Sequence, residues 1–180
     1  KVVSPVDGVV SQCGNIEESM IVQAKGQKFS VEALLAHSPK DDLFSSFATI
    51  YLSPKDYHRI HMPFDGRLKS MKYIPGSLFS VNQKTVNNID QVFARNERLI
   101  CNFNTEYGEI ALVMVGAIFV GSMETSWEGQ VTPPYTKSVK TYDYGSRQID
   151  LFKGEELGRF NMGSTVILIM PKGSPDLNLE

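Results

Sequence analysis

Three short stretches carry side chains able to make and break bonds. The first is Phe160-Asn161-Met162-Gly163-Ser164-Thr165-Val166-Ile167. Glycine has no side chain, so the Ser164 hydroxyl can approach the Gly163 carbonyl closely. Attack of Oγ on that carbon moves the acyl group from nitrogen to oxygen and turns the peptide into an ester. Removal of the Ser164 α-proton then expels the ester carboxylate and leaves dehydroalanine. Hydrolysis of dehydroalanine releases ammonia and leaves a pyruvoyl group at the new N-terminus. A Gly-Ser-Thr entering an apolar strand is common, so the tripeptide alone does not single out this chemistry.

The second stretch is Tyr57-His58-Arg59-Ile60-His61-Met62-Pro63. The chain has three histidines, and two of them lie here. On a helix, residues three apart share a face; if the chain leaves a helix into a strand, the two rings diverge and serve separate roles. Histidine moves protons near neutral pH, and a structural pair hydrogen-bonded at a helix end is the even alternative. The third is Asp7, in Ser4-Pro5-Val6-Asp7-Gly8-Val9-Val10. An aspartate in such a turn ordinarily bonds the turn's own backbone. A serine beside a base that a carboxylate orients is the general arrangement for an activated nucleophile. All three residue types are present, but the sequence alone does not bring them together.

The elements that must position these residues read mainly as strands. Segments 8–13, 46–52, 66–73, 99–103, 110–120, 129–131 and 165–170 are short and apolar or β-branched, and most are bounded by Gly, Pro, Asn or Asp. Segment 110–120 reads as a buried strand, or as two broken near Gly116. Helical pattern is sparse: 30–36 behind a serine cap, a short start at Ser53-Pro54-Lys55-Asp56, and a weaker candidate at 84–91. Pro-x-Asp-Gly occurs twice, at Pro5–Gly8 and Pro63–Gly66, each time before an extended segment. Proline fixes one torsion and glycine frees another, so the echo suggests a pseudo-repeated β unit, with Asp65 a turn residue. The expected fold is predominantly β, α+β with few short helices: a barrel-sandwich-like domain spanning 1–180. Segment 132–145 reads as a surface excursion.

Composition narrows the function. A formal net charge of -2 with scattered cations gives no basic face for nucleic acid and no polybasic segment for a membrane. Cys13 and Cys101 lack metal-ligand spacing, and neither CxxC nor HExxH is present, so no metal site is expected and both thiols read as buried and reduced. The apolar run at 110–120 is shorter than the about 20 residues of a membrane span. No signal peptide is evident, and the start at Lys1 suggests a trimmed chain from which an anchor is missing.

Taken in order, the blocks SPVDGVVSQ, YLSPKDYHRIHMPFDG, PGSLFSVN, FARNERLIC, VGAIFVGSMET and GRFNMGSTVI resemble the bacterial phosphatidylserine decarboxylase family along nearly the whole chain. The resemblance implies a self-cleavage triad of Asp7, His61 and Ser164. Cutting at Gly163–Ser164 gives a larger chain, 1–163, and a small one, 164–180, whose first residue becomes the pyruvoyl cofactor. It implies that His58 serves decarboxylation, beside the substrate carboxylate or α-carbon. Phosphatidylserine forms a Schiff base with the pyruvoyl group, loses carbon dioxide and leaves as phosphatidylethanolamine. It further implies a peripheral protein on the cytoplasmic side of the cell membrane, and allows a homodimer. Phe44 and Phe47 are candidates to enter the lipid interface, with core burial the competing role for Phe47. The family commonly has leucine where this chain has Met162, a change that keeps volume and apolarity. Its N-terminal membrane-docking helices have no counterpart in this sequence. Three rivals remain: another pyruvoyl-dependent decarboxylase, a carrier domain using Lys69 or Lys72, and a phosphocarrier using His58 or His61.

Overall fold

The computed structural model describes residues 2–40, 43–118, 122–161 and 164–175. Its elements, in order, are β1 (Val9–Asn15), β2 (Met20–Ala24), β3 (Gln27–Ser30), α1 (Val31–Leu35), β4 (Ser46–Leu52), β5 (Arg59–His61) and β6 (Gly66–Ile74). There follow α2 (Gln83–Val86), α3 (Val92–Arg95), β7 (Arg98–Thr105), β8 (Gly108–Val115), β9 (Met123–Thr125) and β10 (Gly129–Thr132). The last four are β11 (Lys140–Asp143), β12 (Asp150–Leu151), β13 (Glu156–Phe160) and β14 (Ser164–Met170). The chain is predominantly β with few short helices, as the turn-bounded β-branched segments require.

The larger sheet runs β1-β4-β14-β8-β7-β6-β11, with β12 also paired to β6, and the smaller runs β10-β9-β13-β5. All pairings are antiparallel. Every residue of β14 is buried, because it is an interior strand between β4 and β8 with layers on both faces; hence its continuous apolar run in place of alternation. On one face, Arg98 reaches α1 and donates to the carbonyls of Ala33 and Leu34 at 2.9 and 2.6 Å. These carbonyls have no partner within so short a helix, and burial of the guanidinium lowers its pKa to about 10. On the other face, Phe103 meets Trp127, from the turn between β9 and β10, edge-on with ring centroids 6.0 Å apart. The smaller sheet therefore lies on that side.

Both Pro-x-Asp-Gly turns lead into strands, β1 and β6. Asp65 accepts the Lys153 N–H at 2.7 Å and so is a structural turn residue. The serine cap at Ser30 is present, accepting from Ala33 N at 3.0 Å. Four expectations need correction. No helix starts at Ser53: Asp56 accepts from both the backbone N–H and the hydroxyl of Ser53 at 2.7 and 2.8 Å, and the closed turn releases the chain straight into β5. The helix expected at 84–91 is the shorter α2, capped by Asn82 through Thr85 N. The excursion at 132–145 contains β11, an edge strand against β6. Cys13 is exposed and only Cys101 is buried. Phe47 belongs to the core and Phe44 packs partly against it. No helix among the described residues is long and apolar enough to cross a membrane.

Candidate functional site

Two connections between the sheets have their ends close together. One leaves β4 at Leu52, turns at 53–56 and enters β5; the other leaves β13 at Phe160 and enters β14 at Ser164. They are tied on both flanks. Phe160 donates its N–H to the His58 carbonyl at 3.0 Å on the smaller sheet, and Ser164 pairs with Leu52 on the larger. Met162 and Gly163 lie outside the described residues, so the expected scissile bond is bracketed without being seen. Both histidines and Ser164 thus belong to this one joint.

The 53–56 turn decides how the histidines point. It delivers them in extended chain, where residues three apart face opposite ways, so the rings diverge. His61 Nδ1 contacts the Gly154 carbonyl at 2.8 Å and its Nε2 contacts the Tyr57 hydroxyl at 3.0 Å. A carbonyl only accepts, so Nδ1 carries a proton and Nε2 takes the hydroxyl's. Tyr57 also stacks on His61, with centroids 5.7 Å apart and planes 14° apart. His58 Nδ1 donates to the Asp56 carbonyl in the same way. Its Nε2 is buried with no hydrogen-bond partner. The Ser53 contacts that shape the turn, the backbone N–H first, hold the Asp56 carboxyl below the usual range.

Ser164 is fully buried, and its Oγ has no hydrogen-bond partner. Buried polar atoms are ordinarily paired, so an orphan hydroxyl and an orphan imidazole nitrogen on the two segments of one joint mark a place prepared for something else. Asp7 arrives through the backbone: His61 donates its N–H to the Pro5 carbonyl at 2.8 Å, and Val9 pairs with Tyr51 next to Leu52. The fold thus brings Asp7, His61 and Ser164 to the same end of the molecule. It does not join their side chains: Asp7 is exposed, and among the described residues His61 bonds Tyr57 and Gly154 instead.

Beside Ser164, three of the recognised sequence blocks meet in a buried polar knot. Asn96 donates to the carbonyls of Phe79 and Gly116 at 2.8 and 2.9 Å and accepts from Phe79 N at 3.1 Å. Glu97 donates its N–H to Ser77 O and accepts from Gly116 N, both at 2.8 Å. Gly76 is required here, since a Cβ on it would lie 2.5 Å from Arg95 O. The individual residues that sequence reasoning missed are Tyr57, the Gly154 carbonyl and Glu97. Tyr57 stood beside the histidines, but no spacing signal announced Gly154 or Glu97.

Lys69 and Lys72 lie inside β6, and Lys69 is paired with Glu109; neither occupies the hairpin tip a carrier domain needs. Among the described residues no group of three or more His, Cys, Asp or Glu is placed to hold a metal ion.

A family model described as phosphatidylserine decarboxylase matches residues 1–180. The phosphatidylserine decarboxylase proenzyme of Francisella philomiragia subsp. philomiragia is 54% identical over 173 residues, covering 95% of this chain and 61% of that protein. The proenzyme of Acidovorax ebreus is 55% identical over 176 residues, covering 96% and 62%. That of Francisella tularensis subsp. novicida is 54% identical over 179 residues, covering 98% and 63%. The chain belongs to the phosphatidylserine decarboxylase family. It spans about three fifths of the length of these relatives, 61 to 63%.

Proposed function

We propose that residues 1–180 form the catalytic domain of a phosphatidylserine decarboxylase that cuts itself at Gly163–Ser164, yielding chains 1–163 and 164–180. The observation that carries this reading is the buried, unpartnered Ser164 Oγ at the first residue of β14, in a chain whose relatives are named proenzymes. The site fits a pyruvoyl group made from Ser164: the residue is buried, opens a strand, and is fixed opposite Leu52. A pyruvoyl group there supplies the electron sink that decarboxylation of an amine-bearing acid needs.

The remaining work falls to the chain's own side chains. His61 takes the hydroxyl proton of Ser164 during cutting, after its ring leaves Tyr57 and Gly154 and turns towards Asp7, which orients it. His58, whose buried Nε2 has no hydrogen-bond partner, takes up a proton at that nitrogen and gives it to the α-carbon of the substrate once carbon dioxide has left. Burial of the Ser164 hydroxyl and of His58 Nε2 keeps water from these two atoms. The substrate is phosphatidylserine and the product phosphatidylethanolamine. The protein works as a peripheral protein at the cytoplasmic side of the cell membrane, where that lipid is reached, and a homodimer is compatible with this placement.

Changing Ser164 to alanine tests the reading. The Ser164→Ala chain should stay whole and fail to release carbon dioxide from phosphatidylserine vesicles. A Ser164→Ala chain that is cut at residue 163 would overturn the assignment.

A further inference from the structure

The sheet row that begins at Ser164 holds a second buried oxygen without a partner. Thr165 pairs with Val115, the last residue of β8, so the residue level with Ser164, one step past the end of β8, is Gly116. Val115 pairs with Arg98 on β7, and Gly116 donates to the Glu97 carbonyl at 2.8 Å. Ser164, Gly116 and Glu97 therefore form one row across three adjacent strands, and residues in one row project to the same face. Tyr73 agrees with this for Glu97. It pairs with Leu99, two positions along the same face, and its hydroxyl donates to Glu97 Oε2 at 3.1 Å.

Gly116 places no side chain between the other two. A Cβ built there would lie 3.5 Å from Leu78 Cδ2 and 3.7 Å from Glu97 Oε1, so the carboxyl borders the space above the glycine together with the Leu78 side chain. Glu97 is 3% exposed, and both Glu97 Oε1 and Ser164 Oγ are buried without hydrogen-bond partners. Leaving one such oxygen unpaired is costly; two in the same row, with a glycine at the position between them, need a common reason. Burial raises the Glu97 pKa, an effect partly offset by the hydroxyls of Tyr73 and Thr132, which favours the acid form of the side chain.

We propose that Glu97 is a further residue of the self-cleavage site, acting as the proton donor across Gly116. The proposal rests on Ser164 being the reacting serine. As the Ser164 Oγ–Gly163 carbon bond forms and the carbon–nitrogen bond breaks, the hydroxyl proton passes to His61. The Glu97 proton passes to the departing Ser164 nitrogen. The proton held by His61 then restores the Glu97 acid, so the two groups end as they began and no other reactant is consumed.

The test is the time course of cutting after cell-free synthesis of the full-length chain, read by intact mass. Wild type, Ser164→Ala, Glu97→Gln, Gly116→Ala and Glu97→Ala with and without formate are compared. Wild type should be cut and Ser164→Ala not. Glu97→Gln should be cut roughly 100-fold more slowly or worse, the range expected for loss of an acid–base group, with its melting temperature held. Gly116→Ala, which puts a methyl into the row without a severe clash, should also slow cutting, and formate should speed Glu97→Ala. Glu97→Gln and Gly116→Ala cut at the wild-type rate would overturn the proposal. So would slowing that follows a loss of melting temperature and ignores formate. A wild-type chain that is never cut would remove the reading of Ser164 itself, a result distinct from either.

Discussion

Ile167 is the clearest place to ask how the small chain is held once the joint is cut. It lies at the middle of β14 with no exposed surface, level with Thr49 on β4 and Val113 on β8. Ile167→Ala removes buried carbon from a position walled by strands on both sides, where the backbone has little freedom to collapse into the gap. Such substitutions cost about 2–5 kcal/mol. With a urea slope of about 2 kcal/mol per M, the unfolding midpoint should fall by roughly 1–2.5 M. The assay is urea unfolding of the uncut Ser164→Ala chain with and without Ile167→Ala, followed by fluorescence of the single tryptophan, Trp127. In the cut protein the same change should loosen the small chain, and its midpoint should rise with protein concentration, because two chains must now reassociate. A midpoint shift worth less than about 0.5 kcal/mol, the ordinary surface value, would refute the placement of β14 as a buried interior strand. So would loss of the wild-type small chain on gel filtration without denaturant.

Other positions give shorter tests. His58→Ala should leave cutting intact while slowing carbon dioxide release by about 100-fold or more; unchanged turnover would remove His58 from the reaction. Gly76→Ala would set a Cβ 2.5 Å from the Arg95 oxygen and 2.6 Å from the Glu97 nitrogen. Both are backbone, and relieving the clash should cost about 1–3 kcal/mol, or roughly 2–12 °C of melting temperature for a chain of this size. The Asp56 carboxyl is held below its ordinary value by Ser53, so its contribution to the turn is present above about pH 3.8 and is lost as pH falls through the lower folded value. Side-chain NMR of Asp56 should show that depressed titration, and Ser53→Ala should raise it. The sign is opposite for Glu97, whose carboxyl is raised by burial. Its contribution is fully present below the unfolded value and is lost as pH rises through the folded one. Glu97→Gln should flatten that slope in melting temperature measured against pH.

Most of the sheet was legible because its strands announce themselves. The run at 46–52 is β4 to the residue, and that at 165–170 differs from β14 only at Ser164. Of segment 110–120, residues 110–115 belong to β8, which stops just before Gly116, while 119 and 120 lie outside the described residues. The strands that were missed, among them β5, β9, β12 and β13, are short and owe their form to partners: β5 exists because Arg59 and Ile60 pair with Arg159 and Gly158. The 53–56 turn was misread for a related reason. Ser-Pro-Lys-Asp satisfies the start of a helix locally, but Asp56 closes on Ser53 and the apolar residues that follow are claimed by the smaller sheet. The chemical residues stood out by type, yet their meeting place depends on pairings such as Ser164 with Leu52 and Phe160 with His58, which join residues about a hundred positions apart. Glu97 was invisible for the same reason, since its significance lies in a row defined by three strands.

The most direct measurement is the intact mass of the purified wild-type protein under denaturing conditions. Self-cleavage with conversion of Ser164 predicts two species, one ending at Gly163 and one beginning at residue 164 and lighter than its serine form by one ammonia. A single species with the mass of the whole chain, or a small chain retaining an N-terminal serine, would contradict it.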